Sequence, residues 1–126
     1  MEIVGLGTQI VECTRVAKLI DRHGETFLAQ VYTDGEIQFC NGRTHVNEHY
    51  TAIWAAKEAV LRSLGAKWHR GLNWTEIEIA CEKGQAPVVG VAGATDELMV
   101  ERGAGRFLLS MAHCRAFATA TCLALR

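Results

Sequence analysis

The chain has 126 residues, 49% hydrophobic and 21% charged, enough for a single domain over residues 1–126 that buries roughly two thirds of the unfolded chain's surface. Thirteen Lys and Arg against fourteen Asp and Glu leave a net charge of -1, which excludes the basic footprint of a generic nucleic-acid binder. Five cysteines without a C-x-x-C pair exclude a disulfide framework and a zinc ribbon; no apolar run nears the ~18 residues of a membrane span and the start lacks a basic signal-peptide region, so a cytoplasmic protein is expected.

Residues Glu2 to Val11 are β-branched and apolar but broken by Gly5 and Gly7, the pattern of a buried strand that another backbone or a ligand approaches closely. Cys13 to Arg22 turns helical, with Val16, Leu19 and Ile20 as its apolar stripe. Arg15, Lys18 and Arg22 fall within an arc of roughly 60° at ~100° per residue. Gly24 is predicted to end that helix. Phe27 to Asn41 is expected to hold no long element, with Asp34-Gly35 as a turn signal.

Between Val46 and Leu64, Tyr50, Ile53, Trp54, Lys57, Val60, Leu61 and Leu64 recur at helical spacing, and Gly65 supplies the stop; this is predicted to be the longest helix. Trp74 to Cys81 and Pro87 to Val91 read as a strand, a turn and a strand. Thr95 to Arg102 predicts a short helix with Thr95 as N-cap and Gly103 behind it. Phe107 to Met111 and Phe117 to Leu125 are two further strands. The order βααββαββ gives an α+β fold with a mainly antiparallel sheet, one long helix and shorter ones.

Three groups invite chemistry. His45, Glu48 and His49 form an H-x-x-E-H that formally matches the inverted zinc-peptidase pattern, but a catalytic zinc needs a third protein ligand on a supporting scaffold, so a solvated helix start is expected. Glu58 lies one turn from Trp54 and Leu61 and so points toward the apolar face, where a carboxylate needs a partner: Arg62 at i+4, or a bound cation. Gly5-Leu-Gly7-Thr8 lacks the G-x-G-x-x-G spacing of a phosphate loop and reads as close strand packing. His113, between two strands, reads as a structural residue more readily than as an acid or base.

Three separated segments resemble the holo-acyl carrier protein synthases, the small 4′-phosphopantetheinyl transferases. They are Gly5-Leu-Gly-Thr-Gln-Ile-Val-Glu-Cys-Thr-Arg15-Val16, then Trp54-Ala-Ala-Lys-Glu-Ala-Val-Leu-Arg-Ser-Leu-Gly65, then Ser110-Met-Ala-His113 followed by Ala118 and Ala120; Gly84-Gln-Ala-Pro87-Val is similar to a Gly-x-Pro turn of the family. The resemblance spans the chain, and the helical W-A-A-K-E-A is its specific part. It implies transfer of the 4′-phosphopantetheine arm from coenzyme A to a serine of an acyl carrier protein, with Mg²⁺ on the coenzyme's diphosphate, in a homotrimer whose active sites lie between subunits.

Residue by residue, the resemblance makes Glu58 a metal ligand and catalytic group and assigns Lys57 to the leaving phosphate. It places Arg62 where the family has a lysine, Gly65 at a glycine turn followed here by Lys67, and Pro87 and His113 in the coenzyme site, His113 also among the catalytic residues. Ala112 stands where a serine is usual and Ile53 where an arginine is common. Gln9 occupies the place of a metal-binding Asp; its amide keeps an oxygen that can coordinate Mg²⁺ but carries no charge and accepts no proton. Glu12 is the nearest spare carboxylate. The stripe Arg15, Lys18 and Arg22 is expected to dock the acidic helix of a carrier protein. Two readings follow: a working transferase with a rearranged metal site, or a coenzyme A or carrier-protein binding module that has lost turnover.

Overall fold

The computed structural model describes residues 2–82 and 84–126. Strand β1 (Ile3–Glu12) leads directly into helix α1 (Cys13–Val31), followed by α2 (Asp34–Asn41) and α3 (Val46–Ser63). A single 3-10 turn at Trp74–Glu76 opens a hairpin of β2 (Ile77–Ala80) and β3 (Val88–Val91). Helix α4 (Gly93–Glu101) and strands β4 (Arg106–His113) and β5 (Phe117–Leu125) complete the order. β5 lies between β1 and β4, antiparallel to both.

Helix α3 crosses one face of this sheet at backbone distance. A Cβ on Gly5 would stand 1.7 Å from the Ser63 carbonyl oxygen, and one on Gly7 2.1 Å from that of Ala59. The early glycines therefore admit a helix backbone, and Ala55, Ala56 and Ala59 meet the sheet with the smallest side chains available, all fully buried. Strand and helix run in opposite senses here, since β1 advances from Gly5 to Gly7 as α3 recedes from Ser63 to Ala59. Gln9, two residues on and on the same strand face, thus looks toward the α3 turn that carries Glu58.

The other face of the sheet is uncovered. Register aligns Leu6 with Leu123 and Leu108, Thr8 with Thr121 and Ser110, and Ile10 with Thr119 and Ala112, leaving Leu6, Ile10, Leu108 and Phe117 exposed.

One local expectation holds and two are corrected. The first helical stretch of α1 ends at Gly24 as expected: that residue takes the non-helical φ 52°, ψ -130°, which glycine adopts without a Cβ penalty, and a second helical stretch follows so that Phe27 and Val31 reach the core. The 18-residue α3 is therefore the longest unbroken helix among the described residues. Asp34-Gly35 opens α2 and is no free turn, because Thr33 Oγ1 accepts from the Glu36 amide at 3.2 Å and Glu36 Oε1 from the Thr33 amide at 2.9 Å, a reciprocal capping box. Helix α4 starts at Gly93, so Thr95 lies buried in its first turn and does not cap it. Glu76, from the preceding 3-10 turn, accepts the Ala94 amide at 3.0 Å instead.

Candidate active site

The end of α3 gathers most of the expected site. Gly65, at φ 72°, reverses the chain, and the Ala66 amide donates to the Leu61 carbonyl at 3.0 Å, closing the helix as glycine-terminated helices commonly close. That reversal sets Lys67 and Trp68 beside Glu58 and Arg62. Glu58, Leu61, Arg62, Ala66, Lys67 and Trp68 line a cavity of about 170 Å³. A second, of about 370 Å³, runs over Gly7, Thr8 and Gly65 and shares Arg62, Ala66 and Lys67. Arg102 at the end of α4, which the sequence did not single out, brings Nη1 within 3.3 Å of where a Gly65 Cβ would be. One carboxylate, several cations and a glycine turn open to solvent make an electrostatic seat for a polyanion.

Glu58 is half-buried, and its partner is neither of the two expected. The Trp54 indole Nε1–H donates to Glu58 Oε1 at 2.6 Å, and no Glu58–Arg62 ion pair occurs among the described residues. The spacing i, i+4 on one helix face is legible in the sequence, and beyond packing the indole carries a donor that seeks an acceptor when buried. Trp54 is itself fixed, stacked on Phe27 at 5.7 Å and tilted against Trp74 at 4.7 Å, with the Arg15 guanidinium 5.5 Å from its ring centroid.

Gln9 is half-buried, and its Oε1 accepts from the Ile10 amide at 3.1 Å. Among the described residues no group of three or more His, Cys, Asp or Glu is arranged to hold a metal. The oxygens of Glu58 and Gln9 suit Mg²⁺, a hard cation that keeps waters and is commonly bound by one or two carboxylates together with substrate phosphates.

Lys57 is corrected. Its ammonium has no exposure and does not enter the cleft: it pairs with Glu36 Oε1 at 2.7 Å and donates to the carbonyls of Val31 at 2.7 Å and Trp74 at 3.0 Å. One position before Glu58 means about 100° around the helix, enough to turn the side chain onto α2. Burial lowers its pKa from the ordinary lysine value, opposed by the attraction of Glu36. Glu36 is equally saturated, since Oε2 accepts from the Ile79 amide at 2.7 Å. Arg62 and Lys67 line the cleft in its place, with Arg102 beside Gly65.

Pro87 and His113 lie at the other end of α3, in a cavity of about 170 Å³ with Phe39, His49, Ile53 and Met111. His113 closes β4, and its Nδ1 is 2.8 Å from Glu48 Oε1. This hydrogen bond lowers the Glu48 pKa from the ordinary carboxylate value. The rings of His49 and His113 are 4.6 Å apart. Burial, then the nearby His113 and Arg43 charges, lower the His49 pKa from the ordinary histidine value. Glu48 Oε2 is 3.8 Å from His45 Nδ1, so the H-x-x-E-H turns its carboxylate toward imidazoles. Nine residues of helix, about 13 Å at 1.5 Å per residue, separate His49 from Glu58, and one chain does not bring the two halves of the expected site together. Arg15, Lys18 and Arg22 are exposed along α1.

A family model described as the 4′-phosphopantetheinyl transferase superfamily matches residues 5–122. A holo-[acyl-carrier-protein] synthase of Rhodopirellula baltica is 40% identical over 120 residues, 95% of each chain. The crystal structure of the corresponding synthase from Neisseria meningitidis superposes with a TM-score of 0.87 at 24% identity, covering 99% of this chain and 100% of that one. The coenzyme A complex of the synthase from Chronobacterium ammoniagenes gives a TM-score of 0.79 at 26% identity over 97% of each.

Proposed function

Because the chain belongs to the 4′-phosphopantetheinyl transferase superfamily, we propose that it moves the 4′-phosphopantetheine arm of coenzyme A onto a serine of an acyl carrier protein. The observation that carries the placement is the cleft at the end of α3, where Glu58, Arg62, Gly65 and Lys67 come together. The coenzyme's diphosphate lies there. The serine oxygen attacks the phosphorus bearing the pantetheine, the bond from that phosphorus to the adenosine 3′,5′-bisphosphate oxygen breaks, and the serine proton leaves to a base or solvent.

Arg62 and Lys67 meet the charge that grows on the leaving bisphosphate, which lowers the barrier because they are already in place before reaction. Glu58, with Gln9 facing the same turn, would hold Mg²⁺, and the ion when bound neutralises diphosphate charge. Gln9 cannot take the serine proton. Lys57 acts from within the core, holding α3 to α2.

The second part of the reading is assembly. We infer a homotrimer that covers the exposed face of Leu6, Ile10, Leu108 and Phe117, since an open sheet face of this kind marks an interaction surface. Such an arrangement also supports a site completed between subunits, with His113 and Pro87 of one chain meeting the Glu58 cleft of another. Arg15, Lys18 and Arg22 dock the carrier protein, and the reaction belongs in the cytoplasm; no helix among the described residues is long and apolar enough to cross a membrane.

One observation favours a second reading, a coenzyme A or carrier-protein binding module without turnover: the Gln9 amide oxygen is engaged by its own strand. Incubation with coenzyme A, Mg²⁺ and a panel of acyl carrier proteins, followed by mass spectrometry, separates the two. A phosphopantetheine mass increment is the expected result. Coenzyme A binding without an increment establishes the second reading, and neither binding nor increment overturns both.

A further inference from the structure

We propose that Trp54 is a positioning residue for Glu58: its indole N–H fixes Oε1, so that Oε2 is presented to a cation in the cleft. The inference rests on the reading of Glu58 as the Mg²⁺-binding carboxylate. Its geometry is independent of that reading. A glutamate side chain has three rotatable bonds, and loss of their freedom weakens any contact made by a carboxylate that must be ordered first. Here the ordering is done in advance. The indole N–H donates to Oε1 at 2.6 Å, a short, charge-assisted bond.

The donor is itself immobile. Trp54 is 7% exposed and held by Phe27 on one side and Trp74 on another, and Trp74 stacks on Trp68 at 3.8 Å. Trp68 lines the same cavity as Glu58. A run of four aromatic rings thus connects the α1 core to the cleft wall, and the one indole donor that meets a carboxylate belongs to the ring inside that run. Oε2 makes no hydrogen bond and no ion pair among the described residues. Partners one step outward from a metal ligand commonly set its orientation, and their loss costs about 10–100-fold in metal affinity. With an uncharged Gln9 nearby, the pose of the single carboxylate carries more of the affinity than it would beside a second one.

The test compares wild type, Trp54→Phe and Glu58→Gln. Phenylalanine keeps an aromatic ring between Phe27 and Trp74 and removes only the N–H and the larger ring. Mg²⁺ binding is measured by calorimetry on full-length protein saturated with coenzyme A. Expected is about a 10-fold rise in the dissociation constant for Trp54→Phe and a loss beyond detection for Glu58→Gln. The activity readout is a split: the Mg²⁺ concentration for half-activation rises, while kcat at saturating Mg²⁺ stays close to wild type.

A second measurement needs no folded Trp54 variant. In the ¹H–¹⁵N spectrum of wild type, the Trp54 indole proton should lie downfield of those of Trp68 and Trp74, shift upfield in Glu58→Gln, and move on Mg²⁺ addition. If Glu58→Gln abolishes Mg²⁺ binding but Trp54→Phe binds as wild type does, the positioning role is overturned and the metal reading stands. If Glu58→Gln binds Mg²⁺ as wild type does, the metal reading fails and the proposal falls with it. An indole resonance insensitive to both Glu58→Gln and Mg²⁺ overturns the proposal even where Trp54→Phe does not fold.

Discussion

Lys57 and Glu58 are consecutive residues of one helix, and they meet opposite fates. Lys57 is fully buried, and its ammonium is met by Glu36 and two carbonyls. Glu58 is half-buried and keeps one oxygen clear of every described donor, in a cleft where Arg62 and Lys67 make no described ion pair. A charge whose bonding capacity is filled inside the protein serves the fold. A charge ordered on one side and open on the other is available to a ligand. The same distinction holds at the other end of α3, where Glu48 offers both oxygens to imidazoles.

The largest effect that tests this contrast is on stability. Lys57→Met leaves Glu36 charged in the core without its cation, a change that costs about 3–5 kcal/mol, and urea unfolding should show the loss. Glu58→Gln should stay within about 1 kcal/mol of wild type in the same experiment, since the amide oxygen still accepts from Trp54. Equal stability losses in the two variants would end the distinction between a structural and a functional charge.

The order inverts for ligand binding. Glu58→Gln should weaken Mg²⁺-dependent coenzyme A binding by about 10²-fold or more, read by calorimetry with and without the ion. Gln9→Asp should act in the opposite direction, tightening Mg²⁺ by at least about 10-fold through a second anionic ligand. If the wild type is already fast and Gln9→Asp slows transfer, another carboxylate has the missing role, and Glu12 is the first to replace.

Smaller again is the expected effect at α1. Arg15→Glu should reduce the rate of carrier-protein association several-fold at low salt, and much less at high salt, because opposed charges steer encounter over about a Debye length. A stopped-flow rate unchanged at low salt would remove Arg15 from the docking surface.

The smallest prediction concerns pH. His49 has a folded-state pKa below the ordinary histidine value, so the unfolded chain binds the extra proton first and stability falls as pH drops through and below about 6.5. His49→Phe keeps the contact with Phe39 and cannot titrate. Between about pH 7 and pH 5 its melting temperature should fall less steeply than that of wild type. Glu48 titrates lower, so its own stabilisation is lost only as pH falls from the ordinary carboxylate range through its depressed folded value.

Periodicity made the elements legible. The strand expected from Trp74 to Cys81 contains β2, although its first three residues form the 3-10 turn; the 3.6-residue recurrence of Tyr50 to Leu64 placed α3, and a glycine at the end of that recurrence stopped it. These are properties of a few consecutive residues, and the chain's own steric rules decide them wherever it is placed. That Glu58, Arg62, Gly65 and Lys67 lie close together was legible for the same reason, since a helix end and its reversal bring them together without help from the rest of the chain.

Choice of partner was not legible. Lys57 turns to Glu36, which in turn bonds Ile79 forty-three positions away; His113 meets Glu48 across sixty-five. Glu76 does the capping that Thr95 was expected to do. A sequence lists the donors and acceptors, but burial decides which of them must be satisfied, and tertiary packing decides which lie near enough to satisfy them. The residue types and their local spacing therefore belong to the sequence; that Lys57 is buried against Glu36, that Trp54 bonds Glu58, and that the residues expected at the coenzyme fall into two halves about 13 Å apart along α3 were decided only by the tertiary structure.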